Sequence, residues 1–161
     1  MQYIITGQKR SDAKKQWKVM VDDEDYDYLK QFDWHVSKDK CVSSAMGSHK
    51  NKRMLIHRLL MKAPDDMEVD HIDGNRLNNQ RSNLRLATSS QNKCNRGARK
   101  DNRSGFKGVS WHKKNKNWNV RIKADNKYLL IGIFQDKFEA AKAYNEAATK
   151  YHGEFAYINT V

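Results

Sequence analysis

The sequence contains only one proline and two cysteines among its 161 residues, and it has no long apolar run. Cys41 and Cys94 stand far apart and form no Cys-x-x-Cys pair, which argues against a disulfide framework and against a zinc cluster. No stretch approaches the roughly 18 apolar residues of a membrane-spanning helix. The first residues, MQYIITGQKRSDAKK, lack the apolar centre of a signal peptide. We therefore expect a cytoplasmic protein that has no contact with a membrane.

The charge that is present is mostly positive and is concentrated in one region. Lys and Arg number 31 against 19 Asp and Glu, so the formal net charge is +12. From Lys93 to Lys123 there are eleven basic residues and one acid, Asp101. Such a run is often only a solvated surface, but here it favours a polyanionic partner, and charge alone does not separate DNA from RNA. Four Trp and seven Tyr favour small folded modules over disorder, and the length suits one domain or two small ones.

Four polar residues in the stretch Glu68–Asn95 could form a reaction site. Asp70 and His71 follow Val69 on a predicted short strand. Asn83 enters a second predicted short strand, and Asn92 follows nine residues later. Alternation around Arg85 predicts a half-buried strand, and a Thr-x-x-Gln capping box predicts a helix that starts at about Ser89. The predicted path of strand, loop, strand and helix could bring Asp70, His71 and Asn92 to one edge.

These residue types suit the hydrolysis of a phosphodiester. His71 has an unperturbed pKa near neutrality, as a general base requires. Asp70 and Asn92 offer two hard oxygen ligands and leave most of an octahedral shell to water and phosphate, which suits Mg²⁺ rather than Zn²⁺. The alternative is an Asn-rich loop that contains an Asp-His pair by chance.

The set Asp70-His71, Asn83 and Asn92 resembles the His-Asn-His (HNH) nuclease motif, in the branch of phage and intron homing endonucleases whose third residue is Asn. The resemblance implies a ββα-metal finger and products with 5′-phosphate and 3′-hydroxyl ends. It assigns His71 as the base, Asp70 and Asn92 as ligands of one Mg²⁺ or Mn²⁺ per active site, and Asn83 as the residue that braces the histidine-bearing loop.

The region before the motif is predicted to be a small mixed α/β module. Trp17, Phe32 and Trp34 are predicted core residues, and residues 43–53 are predicted to form a basic turn. The apolar run Met54–Met61 is predicted to change from strand to helix. Within it, His57 and Arg58 could contact the scissile phosphate, as their recurrence in similar nucleases implies, or His57 could be a buried structural histidine.

The basic segment that follows the motif, NRGARKDNRS, is predicted to be a mobile linker. It has no apolar anchor, so we expect it to follow a DNA groove or backbone. Its predicted DNA contacts are Arg96, Arg99, Lys100 and Arg103.

The C-terminal part is predicted to contain three strands, 106–111, 118–123 and 128–134, and then a helix that begins after Asp136. Alternation in the middle strand places Val120 and Ile122 toward that helix and Arg121 and Lys123 on the free face. Together with Gly108-Val109 and the closing FAYIN, this order resembles the APETALA/ethylene-response-factor DNA-binding domain. In that family the sheet lies in the major groove. The predicted contacts on or near the sheet are Lys107, Ser110, Trp111, Asn119, Arg121, Lys123, Tyr128 and Leu130.

Ser110 and Leu130 stand where plant members of that family tend to carry Arg and Trp, so the family's target sequence does not transfer. Trp111 and Tyr128 could stack on a ligand or pack within the fold.

The predicted fold class is therefore α+β, a ββα-metal nuclease finger with an N-terminal mixed α/β module, followed by a three-stranded antiparallel sheet packed on one helix. The predicted domains are a nuclease domain (1–96, with a front module 1–62 and a finger 66–96), a basic linker (97–104) and a DNA-binding domain (105–161).

The predicted function is that of a site-selective DNA endonuclease, of homing type and phage-encoded in a bacterial host, that nicks one strand of double-stranded DNA. The predicted protein is a monomer without a small-molecule cofactor. A non-catalytic DNA-binding regulator with a degenerate finger and a weakly specific nuclease are the alternatives.

Overall fold

The computed structural model describes residues 1–6, 16–46 and 49–161, which form two compact units, Met1–Ser89 and Ser90–Val161. The polar opening at 7–15 and residues 47–48 of the predicted basic turn lie outside the described residues. In the described ranges, no helix combines the length and apolar character needed to cross a membrane.

The first unit contains short strands and two short helices around one apolar core. Its elements are β1 (Gln2–Thr6), β2 (Trp17–Val21), α1 (Asp23–Leu29), β3 (His35–Val36), β4 (Val42–Met46), β5 (His49–Leu55), α2 (Ile56–Leu60), β6 (Glu68–His71), a 3-10 turn (Arg81–Asn83) and β7 (Leu84–Ala87). β1 pairs with β2, β3–β4–β5 form an antiparallel sheet, and β6 pairs with β7.

Three predictions for this unit can be compared directly with the structure. Trp34 is buried and donates its indole N–H to Leu29 O at 2.8 Å, and Trp17 and Phe32 pack partly buried against the same core. The change from strand to helix within Met54–Met61 is confirmed by β5 and α2. The basic turn over 43–53 is wrong, because the backbone on both sides of residues 47–48 pairs as the β4–β5 hairpin.

The second unit begins with α3 (Ser89–Cys94, from Ser90 onward) and continues with β8 (Val109–His112), β9 (Asn117–Ala124), β10 (Lys127–Phe134), α4 (Lys137–His152) and a 3-10 turn (Gly153–Phe155). The sheet order is β10–β9–β8, antiparallel throughout, with α4 on one face. This confirms the predicted three-stranded sheet and helix. Asp136 caps α4 by accepting from the N–H groups of Phe138 and Glu139 at 2.8 and 2.9 Å.

Small residues on α4 allow it to lie close to the sheet. Ala140, Ala141 and Tyr144 are buried against Val120 and Ile122, whereas Phe138 and Tyr151 of the same helix are 47% and 42% exposed. The ring of Tyr144 occupies the space beside Gly108, where a Cβ would lie 2.1 Å from that ring. Gly108 also has a φ of 77°, so this position combines a left-handed backbone with a close approach that any side chain would obstruct.

Candidate functional site

Asp70 and His71 lie together at the end of β6, in the two-stranded hairpin with β7. The register pairs Asp70 with Arg85 and His71 with Leu84. Both polar side chains are buried, at 4% and 7% exposure, next to the apolar core that contains Val69 and Leu84. A buried Asp-His pair costs desolvation energy, so each group should have a dedicated partner.

The partner of Asp70 is Arg85, which the sequence pattern identified only as an alternating strand residue. The Arg85 Nε and Nη2 atoms both donate to Asp70 Oδ2, at 2.9 and 2.6 Å. The side chains are 13% and 5% exposed, so this ion pair is largely shielded from water. The guanidinium compensates the buried carboxylate charge and fixes its orientation.

The partner of His71 is Asn79, which sequence reasoning missed. His71 Nε2 lies 3.2 Å from Asn79 Oδ1. The amide orientation is set by its other bond, because Asn79 Nδ2 donates to Arg76 O at 3.2 Å. An amide oxygen only accepts, so His71 Nε2 carries the proton, and in the neutral ring Nδ1 is the basic nitrogen. No spacing rule marks Asn79, which is one of several Asn residues in the loop.

Burial keeps the His71 ring neutral at physiological pH. Desolvation lowers the pKa of His71 below its ordinary value, although the bond to Asn79 and the charges of Asp73 and Asp70 act in the opposite direction. The His57 ring packs edge-on against His71 at 5.3 Å between centroids. Burial and this neighbour lower the pKa of His57 to about 4, so His57 is also neutral. Two neutral imidazoles lie side by side, and a neutral imidazole is the form that accepts a proton.

The loop between β6 and β7 is held by Asn83 and Asp73. Asn83 Oδ1 accepts from Asp73 N at 3.0 Å, and its Nδ2 donates to Asp73 Oδ1 at 2.8 Å and to Asn78 O at 2.9 Å. Burial acts to raise the pKa of Asp73, but the bonds from Asn78, Asn75 and Asn83 outweigh it and the pKa is lowered. Asn83 therefore spans the loop that begins directly after His71, in the position that a bracing residue requires.

The same loop is joined to β2. Met20 N donates to Leu77 O at 2.8 Å, and Asn79 N donates to Met20 O at 2.9 Å. These backbone bonds place the Asn79 side chain beside the His71 ring. The front module thus contributes directly to the surroundings of His71.

Asn92 lies on α3, and the helix begins at Ser89 as the capping box predicted. Most of α3 belongs to the second compact unit, whereas Asp70, His71 and Asn83 belong to the first. Among the described residues, no group of three or more His, Cys, Asp or Glu side chains could hold a metal ion. Asp70 offers carboxylate oxygens and Asn92 an amide oxygen, and both are donor types that hard divalent cations prefer.

Arg58 is placed differently from a phosphate-binding residue. Its guanidinium donates to the carbonyl oxygens of Met67, Pro64 and Ala63 at 2.6, 2.7 and 3.1 Å. It therefore holds the turn between α2 and β6. The predicted phosphate contact is not favoured for Arg58, and His57 is the packed histidine that the alternative described.

In the second unit, the sheet face opposite α4 carries most of the DNA contacts that were predicted on or near the sheet. Cross-strand partners share a face, and Val120 and Ile122 point to α4, so their neighbours in β9 point away from it. The residues on this free face, by register, are Ser110, Asn119, Arg121, Lys123, Tyr128 and Leu130, together with Ile133, which sequence reasoning missed.

Trp111 is on the other face. It pairs with Trp118, which packs on the core side, and the two rings lie 4.8 Å apart. Although Trp111 is 46% exposed, the register does not place it among the free-face residues.

Lys107 and the basic segment also differ from expectation. Lys107 Nζ donates to Cys94 O, and it lies 5.6 Å from the Tyr157 ring. Burial lowers the pKa of Lys107 to about 8. Its backbone N–H donates to Asn159 Oδ1 at 2.7 Å and its carbonyl accepts from Asn159 Nδ2 at 3.2 Å. These contacts make Lys107 a clamp on the carboxyl end of α3 rather than a base reader.

The segment 97–104 is anchored, in contrast to the predicted mobile linker. Asn102 Nδ2 donates to Phe106 O and Ser104 Oγ donates to Val109 O, both at 2.8 Å. Gly97 lies against the Tyr157 ring, where a Cβ would be 3.2 Å away. The side chains of Arg96, Arg99, Lys100 and Arg103 are nevertheless exposed. Arg96, Arg99 and Arg103 line a cleft of about 770 Å³ together with Arg121 and Lys123.

Comparison with known proteins gives one family match and three relatives. The HNH endonuclease family model matches residues 62–94. The "Uncharacterized HNH endonuclease L560" of Acanthamoeba polyphaga mimivirus is 32% identical over 140 residues, which are 83% of this chain and 70% of that protein. "Protein 3.8" of Escherichia phage T7 is 37% identical over 93 residues, 58% of this chain and 76% of that protein.

A third relative is a transcription factor. The ethylene-responsive transcription factor WRI1 of Arabidopsis thaliana is 41% identical over 58 residues, which are 35% of this chain and 14% of that protein. The first two relatives and the family model support the HNH resemblance seen in the sequence, and the short match to WRI1 gives partial support to the second resemblance.

Proposed function

This chain belongs to the HNH endonuclease family, and from that membership we propose that it is a site-selective DNA endonuclease, of homing type, that nicks one strand per active site. The nuclease part comprises residues 1–96, with a front module 1–62 and a ββα-metal finger 66–96. The part from 105 to 161 selects and holds double-stranded DNA, and 97–104 joins them. The observation that carries the proposal is the buried Asp70-His71 pair, in which Asn79 leaves His71 Nδ1 as the proton acceptor.

His71 acts as the general base on the attacking water. Because its ring is neutral at physiological pH, it can take a proton without first losing one. Asn83 keeps the loop after His71 in one conformation, so the base does not have to be reoriented during the reaction. The packed His57 ring limits rotation of the His71 ring on one side.

Asp70 and Asn92 are the residues that would hold a divalent metal, one Mg²⁺ or Mn²⁺ per site, as the family generally requires. The ion, when bound, stabilises negative charge on the phosphate and on the departing 3′-oxygen. Arg85 keeps the Asp70 carboxylate oriented before the ion arrives, because both of its donor atoms contact Oδ2. Hard oxygen donors are the chemistry that supports this assignment.

The free sheet face and the exposed arginines of the basic segment would hold the DNA. Arg121 and Lys123 are exposed on the free face, and Arg99 and Arg103 are exposed beside it. Phosphate contacts from such residues supply affinity, and contacts to base edges supply selectivity. A monomer with one active site would release nicked rather than linear DNA.

Cleavage of supercoiled plasmid tests this function. The plasmid should carry a site selected by binding from a random library, and wild type should convert it to open circle with Mg²⁺ and not with EDTA. His71→Ala should lose cleavage by about 10²–10⁴-fold while still binding. His35→Ala, a histidine of the same unit on β3, is the matched control and should cut normally.

Three outcomes would contradict the proposal. Unchanged nicking by His71→Ala would refute the base assignment. Persistent absence of cutting on DNA that the protein demonstrably binds would favour the alternative, a non-catalytic DNA-binding regulator. Cleavage without any preferred site would favour a weakly specific nuclease.

A further inference from the structure

The free face of the C-terminal sheet carries exposed apolar side chains that do not belong to the apolar core of this unit. Leu130 and Ile133 are 56% and 55% exposed, although the apolar core of this unit lies on the opposite face, under α4. By register, Leu130 is the partner of Arg121 and Ile133 is the partner of Asn119. Two branched aliphatic residues therefore stand next to polar and cationic neighbours on one surface.

A β-bulge is what brings Ile133 to this surface. The register shifts between Leu130 and Gly132, so both Ile131 and Gly132 fall on the core side and Ile133 returns to the free face. With regular alternation, a residue three positions after Leu130 would point toward α4 instead. The bulge therefore exposes a second aliphatic side chain, and at the bulge Gly132 lies against the Phe134 ring.

The charge on this face identifies its partner as a polyanion rather than an apolar protein surface. Arg121 and Lys123 are exposed on the same face, and Arg121 is directly opposite Leu130. A DNA major groove offers phosphates to the cations, and the apolar group it offers to aliphatic side chains is the 5-methyl of thymine. A protein partner for two isolated aliphatic residues would have to accommodate both adjacent cations as well.

We propose that Leu130 and Ile133 contact thymine 5-methyl groups in the major groove and thereby favour thymine at two positions of the bound site. This inference rests on the proposed function, in which this face holds the DNA. The partners of the two residues, Arg121 and Asn119, are two positions apart on β9, about 7 Å. The contacts therefore span about two base-pair steps of about 3.4 Å each.

Replacement of thymine by deoxyuridine tests the proposal, because it removes the methyl group and leaves base pairing intact. In a duplex that carries the selected site, deoxyuridine at one or two positions should weaken wild-type binding by about three- to tenfold each. The double variant L130A/I133A should bind the thymine duplex more weakly and should be indifferent to the replacement. Ile5→Ala, an equally exposed isoleucine on β1 at 54%, should retain the full sensitivity.

The outcomes separate this inference from the proposed function. Site-preferring binding that no deoxyuridine replacement weakens, or a double variant that stays sensitive to replacement, would overturn the thymine contact and leave the endonuclease assignment intact. Absence of any preferred site in the selection would overturn both. If L130A/I133A instead changed the oligomeric state measured by sedimentation, the face would be an interface between copies of the chain.

Discussion

Asn79 determines which nitrogen of His71 carries the proton, and the pH dependence of cleavage should depend on it. In the proposed mechanism the His71 ring acts as a base only when it is neutral, so the cleavage rate should rise with pH through the pKa of His71 and then level off. Burial lowers this pKa, while the bond to Asn79 raises it. The cleavage rate of the wild-type protein should therefore have reached its plateau at neutral pH.

Two substitutions of Asn79 should move the acid limb of the pH–rate profile, where the cleavage rate rises with pH, in opposite directions. Asn79→Asp places a carboxylate beside the ring, favours the imidazolium form, raises the pKa of His71 and shifts the limb to higher pH. Asn79→Ala removes the accepting oxygen, lowers the pKa and shifts the limb to lower pH, and it slows cleavage at neutral pH by about tenfold or more because the tautomer is no longer fixed.

The measurement is single-turnover cleavage of a bound plasmid between pH 5 and 9. Asn75→Ala is the matched control, because Asn75 is an exposed amide in the same loop whose Oδ1 accepts from Leu77 N and has no bond to His71. Acid limbs that coincide in all four proteins would show that Asn79 supports the loop without acting on the base. Melting curves of each variant separate such an effect from loss of fold.

At the scale of elements, Lys107 connects three parts of the second unit. Its ammonium contacts the carboxyl end of α3, its backbone pairs with the Asn159 side chain, and Asn159 is itself held by Asn145 of α4 at 2.8 and 2.9 Å. The position of α3 relative to the sheet and α4 is thus fixed by a short chain of polar contacts. A cation near the carboxyl end of a helix also interacts favourably with the helix dipole.

Lys107→Met should therefore affect mainly stability, whereas Arg121→Ala should affect mainly DNA affinity. Lys107→Met retains the stem but removes the charged hydrogen bond, and should lower the free energy of unfolding by about 1.5–3 kcal/mol with little effect on the affinity for DNA. Arg121→Ala removes an exposed free-face cation, and should weaken site binding by about 1–3 kcal/mol with little effect on stability.

Chemical denaturation and a binding titration on the same two proteins provide the comparison. A large loss of DNA affinity in Lys107→Met without loss of stability would return Lys107 to the set of base readers. An unchanged affinity of Arg121→Ala for every DNA tested would remove Arg121 from it.

The elements of this protein were largely predictable because their signals are local. The capping box located the start of α3, and alternation in β9 separated Val120 and Ile122 from Arg121 and Lys123. The contacts that orient the site were not predictable in this way. Asn79 reaches His71 only because β2 holds the loop, and Arg85 reaches Asp70 only through the β6–β7 register. Such partners depend on tertiary pairing, which a single sequence does not display.

The same limit explains where prediction and structure differ. The β4–β5 hairpin resembled a polar turn because the segment contains several basic residues. Trp111 and Lys107 were predicted as DNA contacts from residue type, and their contact with DNA stays a prediction. Cross-strand register placed Trp111 beside Trp118, and the bulge after Leu130 exposed Ile133. Both depend on pairing geometry rather than on composition.

For the whole molecule, the distribution of charge predicts how binding responds to salt. The formal net charge is +12, and the exposed cations of the second unit include Arg99 and Arg103 in the anchored basic segment. Each phosphate neutralised by such a residue releases counterions, so the logarithm of the binding constant falls with the logarithm of salt concentration by about 0.9 per contact.

Arg99→Gln and Arg103→Gln should each reduce the magnitude of this slope by about 0.9, and the double variant by about 1.8, because the contacts are independent and carry no sequence information. Relative preference for the selected site over other DNA should stay unchanged, since phosphate contacts position the protein without reading bases. Lys30→Gln, an exposed lysine on the first unit that pairs with Asp27, should leave the slope as it is. Binding titrations from about 50 to 200 mM salt on wild type and the four variants provide the measurement. If the slopes proved equal, the basic segment would only anchor the second unit and the phosphate contacts would have to come from the sheet face.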